Sequence, residues 1–289
     1  MLFLVDKYNP NFIELGGFSV KWYAVCILLG VLCTYLTVCH LFKKHGYKKE
    51  IVDSAILVVL PAGIIGARAW WVASEWESLG AWYKAFYIWE GGLAIQGGVV
   101  LGVLVGVWYF RKYHKNVPTL LAADLIIPNI LIAQVLGRWG NFMNREVYGA
   151  CVDPNTLPFI PEFIKYQMMG EGNINASSGI ACPVDQMAQP LFLYESLCNL
   201  IGWALLVFVL PKVWKKGRKN GDQACLYFVW YGIVRVIMEP FRHPAFIMDM
   251  GGLPTSVVTS ILFIIGGVLG MVILRLIPYL LNKRKAVKE

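Results

Sequence analysis

The chain has 289 residues, of which 57% are hydrophobic and only 15% are charged, and its formal net charge is +8. A soluble domain seldom carries so few charged residues, so this composition excludes most soluble folds and favours a polytopic membrane protein. The positive charge does not indicate nucleic-acid binding, because it is concentrated in short clusters between apolar runs. Clusters of this kind set the orientation of proteins in a membrane.

Seven apolar runs approach the roughly 20 residues that a helix needs to cross a bilayer. No cleavable signal peptide is expected before the first run, because Asp6 and Lys7 interrupt the apolar N-terminus. The sequence therefore predicts an all-α polytopic membrane protein with seven transmembrane helices in a single domain, residues 1–289. The expected helices lie near residues 18–42, 51–73, 91–110, 119–137, 190–211, 223–241 and 255–280.

Clusters of basic residues follow every second apolar run. They hold more than half of the 26 Lys and Arg residues and lie at residues 43–49, 111–115, 212–219 and 283–288. By the positive-inside rule these segments are cytoplasmic. With an odd number of spans, the N-terminus is then expected outside and the C-terminus inside.

Two connections on the expected outer side have distinctive compositions. Residues 70–89, which we call the aromatic arm, contain five of the eleven tryptophans. Such residues favour the headgroup layer, so the arm is expected in the outer interface, with packing against the protein as the alternative. Residues 138–189, which we call the cap segment, are expected to form an extracytoplasmic cap. Cys151 and Cys182 lie in this segment and could form a disulfide there, which the sequence leaves open.

The most informative stretch is residues 137–149, G-R-W-G-N-F-M-N-R-E-V-Y-G, which we call the signature. It lies where the chain is expected to leave the bilayer. It combines glycine, which permits close backbone approach, with arginine, whose fork of donors fits a phosphate. On local grounds alone, a plain polar loop after a helix capped by Gly137 is an equal alternative.

Polar residues gather near the outer ends of six predicted helices. Such residues in spanning helices are costly and by default suggest function. Singly, Arg235 and Glu239 could be an internal salt bridge, and Arg68 could snorkel to the headgroups. Their convergence at one depth instead favours a site for an anionic lipid headgroup or another phosphate. The members are Tyr23, Arg68, Gln96, Arg138, Asn141, Tyr194, Glu195, Tyr231, Arg235 and Glu239.

Other chemistries have little support in the sequence. The four histidines are dispersed and lack the spacing of a zinc site, so neither a metal nor another cofactor is expected. No G-x-S-x-G motif is present, which argues against serine hydrolysis. A transporter for an anionic solute is a further alternative. Transporters commonly have midplane sites and internal repeats, whereas here the polar groups lie towards the outer face and no repeat is evident.

The signature and four further motifs resemble the prolipoprotein diacylglyceryl transferase family. The motifs are W-Y at 22–23, G-x-R at 66–68, P-x-x-L-Y-E at 190–195 and Y-G-x-x-R-x-x-x-E-x-x-R at 231–242. They occur in order along essentially the whole chain. The resemblance implies a multi-pass enzyme of the bacterial cytoplasmic (inner) membrane, with the same seven spans.

The resemblance also implies a reaction. Enzymes of this family move the sn-1,2-diacylglyceryl group from phosphatidylglycerol to the lipobox cysteine of prolipoprotein signal sequences. A thioether forms and glycerol 1-phosphate leaves, which is the first step of lipoprotein maturation. The implied partners are therefore a lipid donor and a signal peptide within the membrane, and nucleic acid is not among them.

The resemblance assigns roles to residues of this chain. It implies that Arg138 and Arg235 hold the phosphate and the leaving group. Asn141 and Glu146 would organise the signature, and Gly149 would allow its turn. The remaining residues expected to contact substrate are Tyr23, Arg68, Asn144, Tyr194, Glu195, Tyr231, Glu239 and Arg242.

One departure from the family pattern concerns the third predicted helix. The family motif there ends in H-G-G, and its histidine is often treated as the base for the thiol, whereas this chain has Gln96 followed by two glycines. Glutamine cannot accept a proton at neutral pH, although its amide can hydrogen-bond lipid or thiol. Gln96 is thus an uncertain catalytic candidate, and the base is left open between water, the donor phosphate, a carboxylate such as Glu239, and His243 just beyond the sixth span. A non-catalytic relative that binds phosphatidylglycerol or lipobox peptides is the alternative.

Overall fold

The computed structural model describes residues 8–16, 18–88, 91–172, 180–247, 249–250 and 253–286. Trp89 of the aromatic arm and Lys288 of the last basic cluster lie outside these residues. The chain divides into two compact units. One comprises Met1–Leu36 with Ile126–Glu289, and the other is Thr37–Leu125.

Helices form most of the described chain. Short π and 3-10 segments connect or extend several of them: Ala204–Val209 joins α7 to α8, Ile127–Asn129 joins α4 to α5, and Glu239–Phe241 follows α9. The α-helices are α1 Trp22–Lys44, α2 Glu50–Ser74, α3 Ile95–Tyr113, α4 Thr119–Ile126, α5 Ile130–Asn144, α6 Glu162–Met168, α7 Leu191–Trp203, α8 Leu210–Val213, α9 Asp222–Met238 and α10 Thr255–Ala286.

The strands described are short and form antiparallel pairs outside the long helices. The first pair precedes α1, the second lies within the cap segment, and the third precedes α10. The pairs are β1 Asn11–Leu15 with β2 Phe18–Lys21, β3 Cys151–Val152 with β4 Met187–Ala188, and β5 Asp249–Met250 with β6 Leu253–Pro254.

Within the described residues, six helical segments are long and apolar enough to cross a membrane. They are Trp22–Lys44, Glu50–Ser74, Thr119–Asn144, Leu191–Val213, Asp222–Phe241 and Thr255–Tyr279. This confirms a mainly helical, multi-span membrane protein. The predicted run at 91–110 does form a helix, α3, but α3 is not among the six, so the seventh span stays a prediction.

Helix α5 extends beyond the predicted end of its run at residue 137. It continues through Asn144 and ends where Arg145 adopts a left-handed conformation, with φ 56°. Gly137 is therefore not the helix cap, and the first half of the signature is helical. The physical reason is tertiary: at Gly140 the helix packs so closely on α1 that an added Cβ would lie 2.8 Å from Tyr23 Cδ2.

The unit Thr37–Leu125 is built on close contact between α2 and α3. A Cβ added to Gly66 would clash with the carbonyl oxygen of Gly97, and a Cβ added to Gly97 would clash with that of Gly66. Only glycine permits backbones to approach this closely. The glycines of the third predicted run therefore serve helix packing.

Arg68 fixes the backbone of the segment that follows α2. Its Nε donates to the Ala85 carbonyl at 2.8 Å and its Nη2 to the Lys84 carbonyl at 2.6 Å. Its Nη1 donates to the carbonyls of Gly91 at 2.6 Å and Gly92 at 3.0 Å. The side chain does not snorkel, because Arg68 is only 7% exposed. These contacts give Arg68 a structural role, and its contact with substrate stays a prediction.

The aromatic arm held by Arg68 exposes large side chains. Trp76 is 60% exposed, and Trp82 and Phe86 are each 70% exposed. Large exposed aromatics are unfavourable in water and favourable at a membrane–water interface. The arrangement is compatible with the predicted interfacial position of the arm.

The cap segment forms an apolar core together with Phe192 of α7. The structure contains the Cys151–Cys182 disulfide, which the sequence left open. Arg145, just after α5, donates from Nε to the Gln167 carbonyl at 3.1 Å and from Nη2 to the Met169 carbonyl at 3.0 Å. The buried core consists of Phe142, Tyr148, Ile160, Ile164, Met168, Ile180, Cys182, Met187, Ala188 and Phe192.

Two glycines of α5 provide a matched test of this packing. We expect Gly140→Ala to lower the unfolding temperature, because the new methyl group meets Tyr23 and overpacking costs about 1–3 kcal/mol. Gly137→Ala should leave it unchanged or raise it, because nothing lies within 4 Å of that added Cβ and alanine favours the helix by up to about 1 kcal/mol. Thermal unfolding in detergent, followed by tryptophan fluorescence, checks both. Equal shifts would contradict the close contact.

Candidate functional site

Glu195 is the centre of a group of charged side chains contributed by α5, α7 and the end of α9. It lies in α7 and is 2% exposed. Arg138 Nε is 2.5 Å from Glu195 Oε2, and Arg235 Nη1 donates to Oε1 at 3.1 Å. Arg242 Nη2 lies 3.7 Å from the same Oε1. One buried carboxylate is thus shared by an arginine of the signature and two arginines from the end of α9 and the segment that follows it.

Glu239 is the second carboxylate of this group and is held more loosely. It is 4% exposed, and its Oε2 lies 3.8 Å from Arg235 Nη2 and 3.6 Å from Arg242 Nε. Both distances exceed those of ordinary hydrogen bonds. We call these five residues, Arg138, Glu195, Arg235, Glu239 and Arg242, the arginine cluster.

The arginine cluster carries an excess of positive charge. Three guanidinium and two carboxylate groups give it a formal charge of +1. Burial lowers the pKa of Arg242, and the neighbouring Arg235 lowers it further, while Glu195 and Glu239 act in the opposite direction. A buried charge that lacks a full counter-charge is unfavourable by itself, and binding an anion would relieve the imbalance.

The signature supplies a chain of hydrogen bonds that begins in the cluster. Arg138 Nη1 donates to Asn141 Oδ1 at 3.0 Å, and Asn141 Nδ2 donates to Glu146 Oε1 at 3.2 Å. Asn144 Nδ2 reaches the same Glu146 oxygen at 3.3 Å. Because Arg138 and Asn141 lie one turn apart on α5, the helix itself presents both side chains on one face. This series of hydrogen bonds orients Arg138.

Gly149 joins the signature to the segments that precede α7 and follow α9. Its N–H donates to the Gln189 carbonyl at 3.0 Å, and it pairs with Arg242 as an isolated β-bridge. A Cβ at this position would lie 2.8 Å from both Gln189 Cβ and the Phe241 carbonyl oxygen. Gly149 was expected to allow a turn, but its φ is not in the left-handed region. Close backbone approach is the reason for glycine here.

Two of the three predicted tyrosines, Tyr194 and Tyr231, lie on helices that carry the cluster, and the third, Tyr23, lies on α1. Tyr23 of α1 packs against Gly140 in the middle of the signature. Tyr194 precedes Glu195 in α7 and is half-buried. Tyr231 lies one turn before Arg235 and stacks on Tyr227, with ring centroids 6.1 Å apart. A contact with the signature thus places Tyr23 next to α5. Tyr194 and Tyr231 are associated with the cluster by their positions in α7 and α9.

The other predicted site residues belong to the unit Thr37–Leu125. Gln96 lies in the first turn of α3 with an exposed side chain, and the Arg68 guanidinium donates hydrogen bonds to the aromatic arm. The structure therefore brings together eight of the predicted residues in one network of contacts. These are Arg138, Asn141, Asn144, Glu146, Glu195, Arg235, Glu239 and Arg242.

No pattern in the sequence indicates what Arg145 does. In the structure Arg145 anchors the cap segment, through the carbonyls of Gln167 and Met169 and an ion pair with Glu171. Its partners lie in a loop whose path no local pattern specifies. Only the left-handed conformation at the end of α5 directs its side chain there.

Glu195 offers a test of the cluster that does not depend on function. We expect Glu195→Leu to destabilise the protein by about 3–5 kcal/mol, because it leaves three partly buried arginines with one carboxylate. The control is Glu162→Leu, which breaks the ion pair with Lys165 at 3.0 Å, where the glutamate side chain is 88% exposed. That change should barely move the unfolding temperature. Similar shifts for the two variants would refute the central place of Glu195.

Comparison with known proteins identifies the family of the chain. A family model described as prolipoprotein diacylglyceryl transferase matches residues 10–273. A protein of Streptococcus pneumoniae named phosphatidylglycerol–prolipoprotein diacylglyceryl transferase is 39% identical over 261 residues, which cover 89% of this chain and 90% of that protein. Proteins of the same name from Streptococcus agalactiae and Streptococcus uberis are 36% and 34% identical, and cover 92% and 94% of this chain and 96% and 98% of their own. The chain therefore belongs to the prolipoprotein diacylglyceryl transferase family.

Proposed function

We propose that this protein transfers the sn-1,2-diacylglyceryl group of phosphatidylglycerol to the lipobox cysteine of a prolipoprotein signal sequence. The cysteine sulfur forms a bond to the terminal glycerol carbon of the diacylglyceryl group as the bond from that carbon to the phosphate oxygen breaks. The thiol proton is released, and glycerol 1-phosphate leaves with the bonding electrons. Family membership supports this reaction.

The observation that carries the proposal is the excess positive charge of the arginine cluster. A phosphodiester carries one negative charge, which matches the formal charge of +1. Negative charge grows on the phosphate as the carbon–oxygen bond breaks. Donors that are already held in place stabilise such charge most effectively where water is scarce.

Arg138 and Arg235 are the residues we assign to the phosphate. Glu195 holds Nε of Arg138 and Nη1 of Arg235, so both guanidinium planes are fixed while other N–H groups stay available. The Arg138 side chain is 21% exposed, which leaves it accessible from outside the cluster. Arg138 is oriented by the hydrogen bonds through Asn141, Asn144 and Glu146. The surrounding helices contribute Tyr23, Tyr194 and Tyr231.

The thiol proton needs an acceptor other than Gln96. An ordinary thiol has a pKa near 8.5, so a small fraction is already ionised at neutral pH, and nearby arginines favour the thiolate. We therefore assign the proton to water, the donor phosphate or Glu239, and give Gln96 an orienting role through its amide. The second candidate function, a relative that binds lipid or peptide without transfer, is favoured by the same glutamine.

We also propose that seven helices cross the cytoplasmic (inner) membrane of a bacterial cell, with α3 as the seventh and the N-terminus outside. The protein would act as a single domain over residues 1–289, with the cap segment and the aromatic arm at the outer face. The Cys151–Cys182 disulfide supports this orientation, because disulfides persist in oxidising compartments. The exposed tryptophans of the arm agree with it.

The transfer assay tests the reaction and the assigned arginines together. Purified protein, phosphatidylglycerol with labelled acyl chains and a lipobox peptide should yield a labelled thioether. Arg138→Lys and Arg235→Lys should each lower turnover roughly 30- to 1000-fold, because a lysine lacks the fork and about 2–4 kcal/mol of stabilisation is lost. Arg111→Lys, at the exposed end of α3, is the control and should leave turnover unchanged. Lipid binding without any transfer by the unaltered protein would establish the second candidate function instead.

The orientation is tested by labelling single introduced cysteines with a reagent that does not cross membranes. Asn155 in the cap segment and Lys216 in the third basic cluster are both exposed. In intact cells, Asn155→Cys should be labelled and Lys216→Cys should be protected until the membrane is permeabilised. Labelling of position 216 in intact cells would invert the proposed topology and place the arginine cluster at the wrong leaflet.

A further inference from the structure

The side chains of Arg242 and Glu239 are close to each other and are not hydrogen-bonded to each other, although the Arg242 backbone N–H donates to the Glu239 carbonyl at 3.0 Å. Among the described residues, Arg242 Nε and Nη2 and Glu239 Oε2 are buried atoms that lack a hydrogen-bond partner. Arg242 Nε lies 3.6 Å from Glu239 Oε2. Buried charged groups that form ion pairs but no hydrogen bonds are unfavourable, so this arrangement requires an explanation.

The two groups are complementary in a specific way. Nε and Nη2 form one edge of the guanidinium and can only donate, whereas the carboxylate oxygen can only accept. A separation of 3.6 Å is too long for a direct hydrogen bond but allows one oxygen atom to lie within bonding distance of both groups. That oxygen must accept one hydrogen bond and donate another. A hydroxyl group of a ligand does both, as a water molecule also does, whereas a phosphate or an ester oxygen does not.

The neighbourhood places this position beside the proposed phosphate site. Arg235 Nη2 is 3.8 Å from Glu239 Oε2, and Arg242 Nη2 is 3.7 Å from Glu195 Oε1, which also accepts from Arg235. A hydroxyl bound between Arg242 and Glu239 is therefore a close neighbour of a phosphate on Arg235. In phosphatidylglycerol, the headgroup hydroxyls are joined to the phosphate by a short carbon chain.

We propose that Arg242 and Glu239 form a hydroxyl-binding subsite that recognises the glycerol headgroup of the donor lipid. The inference rests on the proposed function, which it deepens by naming the residues that select the donor. The positive cluster attracts anionic lipids and disfavours headgroups that carry an ammonium. The subsite then distinguishes a headgroup with hydroxyls from anionic headgroups of equal charge without them. A site built around a substrate hydroxyl discriminates strongly, because the analogue leaves its polar groups unpaired.

The test is a competition between phosphatidylglycerol and phosphatidylethanol, which has the same charge and no headgroup hydroxyl. The two lipids carry acyl chains of different isotopic mass. Binding is measured by native mass spectrometry of the detergent-solubilised protein, and transfer by the mass of the modified lipobox peptide. We expect the unaltered protein to prefer phosphatidylglycerol at least about 100-fold in both measurements. Glu239→Leu should reduce this preference roughly tenfold or more, since it removes the acceptor.

Two further variants separate recognition from stability. Glu239→Gln keeps a carbonyl acceptor and should retain most of the preference, even where turnover falls. Tyr227→Phe removes a buried hydroxyl from the same helix, one that accepts from Gln134 Nε2 at 3.1 Å, and should leave the preference unchanged. Because the preference is a ratio within one sample, loss of folded protein does not alter it.

The outcomes distinguish this inference from the proposed function. An unaltered protein that binds or uses both lipids equally would overturn the hydroxyl subsite while leaving the transferase intact. Full retention of the preference in Glu239→Leu would also overturn it. A binding preference that depends on Glu239, without any transfer to peptide, would support the subsite and reject the proposed reaction.

Discussion

The arrangement of the site depends on the burial of one carboxylate among three arginines. Glu195 is almost fully buried, and a buried charge of this kind is stable only with close partners. Arg138 and Arg235 supply hydrogen-bonded contacts, and Arg242 approaches without bonding. The same carboxylate therefore holds α5, α7 and α9 together and fixes two guanidinium groups in defined orientations. It leaves the third arginine paired with Glu239 only at a distance, where a ligand group can complete the contacts.

Close backbone packing puts these charged groups within reach of each other. Gly140 lets α1 approach α5 inside the signature, and Gly149 lets the signature lie directly between the chain before α7 and the chain after α9. A methyl group at either position would displace the elements that carry Arg138 and Arg242. The cap segment continues the chain beyond these contacts, and Arg145 and a disulfide hold it in place. Stability and chemistry thus rely on the same short stretch of sequence.

A lipid donor adds a requirement that a soluble substrate does not. Its acyl chains must stay in an apolar environment while its phosphate binds fixed cations and its headgroup is recognised. Groups in a water-poor site act more strongly than they would in bulk water, both in binding charge and in rejecting an unmatched headgroup. A phosphate site on Arg138 and Arg235 with a hydroxyl site on Arg242 and Glu239 would meet these requirements at one end of a helix bundle.

The sequence by itself determined the class of the protein and the positions of most helices, and it singled out the charged residues that the structure brings together. Apolar runs and a specific signature are local properties, so they can be read without a structure. The tertiary structure decided how far α5 extends, why Gly149 is glycine, and that Arg68 holds the aromatic arm. It also divided the charged residues into a tightly bound pair of arginines around Glu195 and a loose pair, Arg242 with Glu239. These features depend on contacts between segments that are distant in the sequence, and on differences of a few tenths of an ångström between contact distances. No pattern along the chain specifies either.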